Sequence, residues 1–249
     1  AGNQAARSPE RAARKLLGRL LLERDGAVRF KIIRALVKLR HQRPTIHLEA
    51  DVLRRVAENT LDHAEELHRW GLGLSTDDGD APPPSVVSSD PLRAAHHLLR
   101  DLVRDKESHA TQRLFMLLEL IYGEEFEDIE RGLRSRNAKK RANSLELVEN
   151  IVRPPLKARV LALVGDATGE VEGALTYEQA IREILVNGGS TMRTLAEARA
   201  LELGLDAAEI TGIRTSTPPT MESIGRQLID RARDLLTTPA GRDPGATGA

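Results

Sequence analysis

DGAVRFKIIRALVKLR, Asp25–Arg40, is the stretch from which the fold of this chain is read. Asp25 precedes a helical run and can accept hydrogen bonds from amides that the first turn leaves unpaired. Val28, Ile32, Leu36 and Leu39 follow at helical spacing, which sets them on one face. Two fainter echoes occur at Asn137–Val152 and Gly189–Gly204. In each copy a turn residue stands four positions before an arginine: Asp25 and Arg29, Asn137 and Arg141, Gly189 and Arg193. Ser144, Val148 and Ile151 take the facing positions in the second copy. Met192, Ala196, Ala200 and Leu203 take them in the third. A short helix with one apolar stripe is marginal alone and must pack on neighbours. Self-similar units of this kind predict an all-α fold, an α-solenoid of stacked helical hairpins.

The turn Asp followed by Val-Arg, here Asp25, Val28 and Arg29, resembles the signature of bacterial HEAT-repeat proteins. The resemblance implies a right-handed HEAT/armadillo-type stack in which these side chains tie adjacent repeats together. It casts Asp25, Arg29, Asn137, Arg141 and Arg193 as structural ties, with an amide in place of the acid at Asn137 and no side chain at Gly189. Three stretches occur in one order: SPERAARKLLGRLLLERDGAVRFKIIRALVKLR, then RLFMLLELIYGEEFEDIERGLRSRNAKKRANSLELVENIV, then ILVNGGSTMRTLAEARALELGL. That order, over Ser8 to Leu205, is similar to the soluble HEAT region attached to bacterial membrane proteins related to the ATP/ADP nucleotide translocases, which are of MFS type. The likeness implies a non-enzymatic scaffold or regulatory module in the cytoplasm, tethered to a membrane through sequence outside this chain. Its partner would be another protein or its own membrane domain. The nucleotide-binding residues of such transporters belong to the membrane domain, so none carries over. The resemblance also implies further helical sequence upstream, with transmembrane spans. Leu16, Leu17, Leu20 and Leu21 on the first helix are placed to pack on both sides.

Composition agrees with a helical chain. Leu, Ala, Arg and Glu dominate and aromatics are only 2%, which favours helices over sheets. Formal charge is zero, so no partner is implied by net charge. There is no cysteine, which excludes disulfides and thiolate metal sites. No run of apolar residues is long enough for a transmembrane helix. The charge is nevertheless uneven. Residues 1–43 carry 12 basic and 3 acidic residues, and residues 44–80 carry 3 and 9.

The chain divides into N-terminal HEAT-like helices over 1–74, a flexible insertion at 75–90, continuing helices of the same solenoid over 91–236, and a disordered tail at 237–249. The predicted helices are Glu10–Leu22 with Pro9 at its first position, Val28–His41, and Leu48–Trp70. STDDGDAPPPSVVSSD, Ser75–Asp90, has little to bury and reads as a mobile loop. Beyond it come a helix from Asp90-Pro91 to Arg104 and a second from about Lys106 to Tyr122, with Leu114, Leu117, Leu118 and Ile121 on its apolar face. Glu124–Arg134 and Ala138–Val152 form a hairpin, followed by Leu156–Val164 and a flexible connection at Gly165–Gly173. Thr176 caps Tyr177–Val186, Thr191–Leu203 follows, and Met221–Leu236 is the last helix.

No catalytic constellation emerges, and no cofactor is implied. Glu65 and His68 form one Glu-x-x-His, but a di-iron bundle needs a second copy and two more carboxylates; no metal site is predicted. His96 and His97 point about 100° apart on a helix and cannot chelate one ion. His109 has no nucleophile beside it. Ser88, Ser89 and Asp90 read as a cap. Gly188-Gly189-Ser190-Thr191 lacks the lysine of a phosphate loop and reads as a turn. Arg131, Arg134, Arg136, Lys139 and Lys140 cluster around the second turn, a candidate surface for anions or a partner. The alternative function is therefore a free-standing binder of anionic ligands or nucleic acid through these basic faces. One Trp, two Tyr and three Phe leave few platforms for stacking bases, which counts against nucleic acid.

Overall fold

In a computed structural model, residues 3–75, 91–165 and 175–212 are described. The expected loop beyond Ser75, most of the Gly165–Gly173 connection, the Met221–Leu236 helix and the 237–249 tail lie outside them. The described residues form ten helices and no strand: α1 (Asn3–Leu22), α2 (Gly26–Gln42), α3 (Ala50–Ser75), α4 (Pro91–Tyr122), α5 (Glu127–Leu133), α6 (Ala138–Ile151), α7 (Leu156–Val164), α8 (Tyr177–Asn187), α9 (Ser190–Glu202) and α10 (Ala207–Thr211). The fold is all-α. No helix among the described residues is long and apolar enough to cross a membrane.

Local chemistry accounts for the helix starts. The Asp25 carboxylate accepts from the Ala27 and Val28 amides at 2.8 and 2.9 Å. Asn137 Oδ1 accepts from Lys139 and Lys140 at 3.0 and 3.2 Å. Thr176 and Gln179 exchange side-chain and main-chain bonds in a capping box. Gly189 starts α9 without a side-chain cap. Three pairs of helices, α1/α2, α5/α6 and α8/α9, are joined by short connections and pack on each other as hairpins.

The described residues fall into two compact units, one from Ala1–Arg69 and Arg104–Ala174, the other from Trp70–Val103 and Leu175–Ala249. The core of the first holds Leu17 and Leu20 of α1, Ile32, Ile33 and Leu36 of α2, Leu53 and Leu61 of α3, Leu114, Leu117 and Leu118 of α4, and Val148 of α6. Each such aliphatic side chain, removed from water, contributes roughly 1.5–3 kcal/mol. Gly132 of α5 lets α6 come close: a Cβ there would meet the Ser144 Oγ at 2.0 Å. The second unit is built around Trp70, Leu99, Val103, Ile181, Ile184 and Leu185. The buried Trp70 indole donates to Glu183 Oε2 at 2.9 Å. Another buried polar link joins α4, α8 and α9: Arg199 Nε donates to the Tyr177 hydroxyl at 2.8 Å, and that hydroxyl lies 2.8 Å from His96 Nδ1.

Several expectations are corrected. The break near Arg104–Lys106 does not exist, and α4 is continuous. Nothing in that stretch stops a helix, and Asp105 pairs with His109 four residues on. The helix expected over Glu124–Arg134 is shorter. Phe126 is its N-cap, and its fully buried side chain fixes where α5 begins. Pro9 lies inside α1, which runs back to Asn3 through a favourable Asn-Gln-Ala-Ala stretch. Val28, in the first turn of α2, is 38% exposed, and Ile33 takes its place in the core. Leu203, past the end of α9, and Leu21 are exposed as well. A short helix, α10, follows an unforeseen cap, where Asp206 Oδ1 accepts from Ala208 and Glu209.

Two substitutions test this packing. Gly-to-Ala inside a helix normally stabilises by roughly 0.5–1 kcal/mol. At Gly73 the new Cβ would sit 2.9 Å from the Ala180 Cβ and 3.2 Å from both the Leu175 Cβ and its carbonyl oxygen. Gly73→Ala is therefore expected to lower the melting temperature; a rise would show that α8 yields at this contact. Arg29→Ala removes a half-buried guanidinium and its three hydrogen bonds. Urea unfolding should show a loss of about 1–3 kcal/mol, and a smaller loss for Arg193→Ala, whose bonds reach only its own corner.

Candidate functional site

The three corner arginines share one geometry. Arg29 Nη1 donates to the carbonyls of Leu20 and Glu23 at 3.3 and 3.2 Å, while Nη2 reaches Thr60 of α3 at 3.2 Å. Arg141 Nη1 donates to the Ser135 carbonyl at 3.3 Å. Arg193 Nη2 donates to the carbonyls of Gly188 and Val186 at 3.2 and 3.4 Å. Each arginine thus reaches back from the first turn of its helix to the end of the helix before, or to the connection that follows it. Asp25 and Asn137 cap their own helices. These five residues lie at corners of the hairpins.

The pairs that resembled chemical sites are engaged structurally. Glu65 and His68 part company. Glu65 accepts from Arg159 Nε of α7 at 2.9 Å, and Asp62 accepts from Arg159 Nη2 at 2.6 Å. These two carboxylates raise the Arg159 pKa further. His68 Nδ1 lies 2.7 Å from Glu107 of α4. That hydrogen bond raises the His68 pKa against the opposing effect of burial. Among the described residues no three acidic or imidazole groups are placed to hold a metal ion. Gly188-Gly189 is the α8/α9 turn. A Cβ on Gly188 would lie 2.3 Å from the Ile184 carbonyl oxygen, so glycine is needed there for close approach.

The basic cluster is partly neutralised. Arg131 bonds Asp128 and Glu127 at 2.7 and 3.0 Å, and Arg134 pairs with Glu130 at 2.6 Å. Arg136, Lys139 and Lys140 remain exposed. They lie around the corner and do not converge on a cavity lining.

The feature that sequence reasoning missed is a cleft of about 870 Å³ in the first unit, between α2, α4 and α5. That lies within the ~300–1,000 Å³ typical of ligand pockets. Its lining includes Phe30, Phe115 and Phe126, all three phenylalanines of the chain. Phe115 and Phe126 form a buried floor, with ring centroids 5.8 Å apart and planes tilted by 41°. Phe30, Val37 and Met116 are only half-buried and face the opening. One wall, from α2, carries Arg34, Lys38 and His41; the opposite side carries Glu119, Glu125, Glu127 and Glu130. His41 Nε2 meets Glu119 Oε1 at 2.7 Å. Burial raises the Glu130 pKa, with Arg134 opposing the shift. The available signal was the spacing of Phe30, Arg34, Lys38 and His41, a second stripe on α2 away from its core face. The arrangement offers apolar contact flanked by charges of both signs and holds no nucleophile–base pair.

Compared with protein-family models, curated proteins and solved structures, the chain matches none.

The His68–Glu107 pair gives a pH test. A histidine whose folded pKa is raised stabilises the fold fully below its unfolded value, about 6.5, and this contribution is lost as pH rises through the folded value. Glu107→Gln should therefore cost more stability at pH 5.5 than at pH 8.5, by roughly 0.5–1 kcal/mol for a partly exposed pair. Equal costs at the two pH values would show that the imidazole is not charged in the pair.

Proposed function

We propose that this chain is a non-enzymatic helical-repeat interaction module, a HEAT-type α-solenoid, whose working surface is the α2–α4–α5 cleft. The observation that carries the reading is the concentration of every phenylalanine at one open cleft, two as its buried floor and Phe30 at its opening, in a unit whose core is otherwise aliphatic. Aromatic and methionine side chains at the centre of a concave surface, rimmed by charge, are the composition of a docking site. The repeated corners support the repeat architecture. The sequence order of the three stretches supports a module that works in the cytoplasm beside a nucleotide-translocase-like membrane domain or another protein. Anion or nucleic-acid binding through Arg131–Lys140 ranks lower, because Arg131 and Arg134 are already paired with acids of their own helix.

Selection of a random-peptide display library on the full chain tests this. Binders are expected to lose affinity at least tenfold with Val37→Asp and to be indifferent to Lys139→Glu with Lys140→Glu. Circular dichroism would confirm that each variant folds. Binders that ignore Val37, or retention on heparin or duplex DNA at physiological salt that disappears in the lysine variant, would reverse the ranking.

A further inference from the structure

We infer that the cleft takes an acidic peptide segment anchored by an apolar or aromatic side chain, an inference that rests on reading the cleft as a docking surface. Charge left over after internal pairing selects the occupant. Three of the four acids around the cleft already have a partner: Glu127 faces Arg131 at 3.0 Å, Glu130 faces Arg134 at 2.6 Å, and Glu119 meets the His41 imidazole at 2.7 Å. Arg34 and Lys38 are different. They stand one turn apart on the exposed side of α2, line the cleft, and have no ion-pair partner among the described residues. The cleft therefore presents two uncommitted cations on one wall and one uncommitted carboxylate, Glu125, across from them. A ligand with carboxylates spaced by about one helical turn matches that wall.

The apolar part of the occupant is fixed by what can be touched. Phe115 is 1% exposed and Phe126 is fully buried, so neither offers a free ring face for stacking. Phe30, Val37 and Met116 offer edges and a flexible thioether, which suit a Leu, Met or Phe side chain entering from above. Gln42 and Gln112, also in the lining, can give and accept hydrogen bonds with a peptide main chain. A polyphosphate or nucleotide fits less well. It brings no aliphatic side chain to Phe30, Val37 and Met116 and would find no exposed aromatic floor. A peptide brings an apolar anchor for the floor as well as carboxylates for Arg34 and Lys38.

The test uses the peptides selected on the full chain, read for charge and remeasured by fluorescence anisotropy. Asp and Glu should be enriched on both sides of an apolar residue. The same selection on Arg34→Glu with Lys38→Glu should enrich Lys and Arg instead. The best wild-type peptide should bind that double variant at least tenfold more weakly, and its Asp/Glu-to-Lys version should bind it more tightly than it binds wild type. Arg34 and Lys38 are exposed, so the variant is expected to fold, and circular dichroism checks this. Peptides that need Val37 but show no charge bias, or a basic bias, would overturn the acidic partner and leave the docking surface standing. Failure to obtain any Val37-dependent peptide would overturn both. Displacement of the peptide by tripolyphosphate at equal concentration, in a manner that depends on Arg34 and Lys38, would reassign the wall to phosphate.

Discussion

A helix end leaves carbonyls without amide partners, and at three corners of this chain one arginine supplies donors from the next helix. The position is electrostatically conditional. In the first turn of its own helix a guanidinium is disfavoured by the partial positive charge of that terminus. At the end of the preceding helix it is favoured by the partial negative charge. An isolated second helix thus carries a small penalty that is relieved only when the hairpin closes. Arg29 extends the coupling to α3 through Thr60, whose own hydroxyl donates to the Val56 carbonyl at 2.7 Å. The Glu23 side chain completes the first corner by accepting from the Arg24 and Asp25 amides, each at 3.0 Å; these bonds lower its pKa.

Because the corners and aliphatic faces organise the helices, the few aromatic residues are free to serve locally. Trp70 fills the centre of the second unit and satisfies its indole with Glu183. Tyr177 packs under the Arg199 guanidinium, whose carbon lies 5.3 Å from the ring centroid, and bonds His96 as well. The phenylalanines do something else. Two of them make a rigid floor and the third stands at its edge, all in one cleft. Close-packed interiors have low compressibility, so a floor of this kind holds its shape when only the rim changes.

What the sequence made legible was local. Asp25 and Asn137 as caps, the α2 and α6 starts and the Gly188-Gly189 turn depend on residues within a few positions of one another. The Glu65–His68 spacing was visible too, but it could not show that their partners, Arg159 and Glu107, come from two other helices. Arg131 and Arg134 read as part of a candidate surface for anions or a partner, although acids that pair with them, Glu127, Asp128 and Glu130, stand three and four residues earlier, where helical geometry brings them together. The cleft was out of reach for a different reason. Phe30 of α2 lies more than eighty residues before Met116 of α4 and Phe126 at the start of α5, and no local pattern announces their meeting.

The cleft also depends on the corners. Its floor ends at Phe126, which stands immediately before α5, and its acidic side includes Glu127 and Glu130 on α5 itself. A seven-residue helix is too short to persist alone. α5 is held by its pairing with α6, through the close contact of Gly132 with Ser144 and the hydrogen bond from Arg141 to the Ser135 carbonyl. None of these residues lines the cleft. A substitution at Arg141 or Ser144 would therefore change binding by displacing α5, with loss of stability alongside. A substitution at exposed Lys38 would change binding with stability intact. The contrast between those two kinds of effect separates the residues that build the surface from those that read a partner.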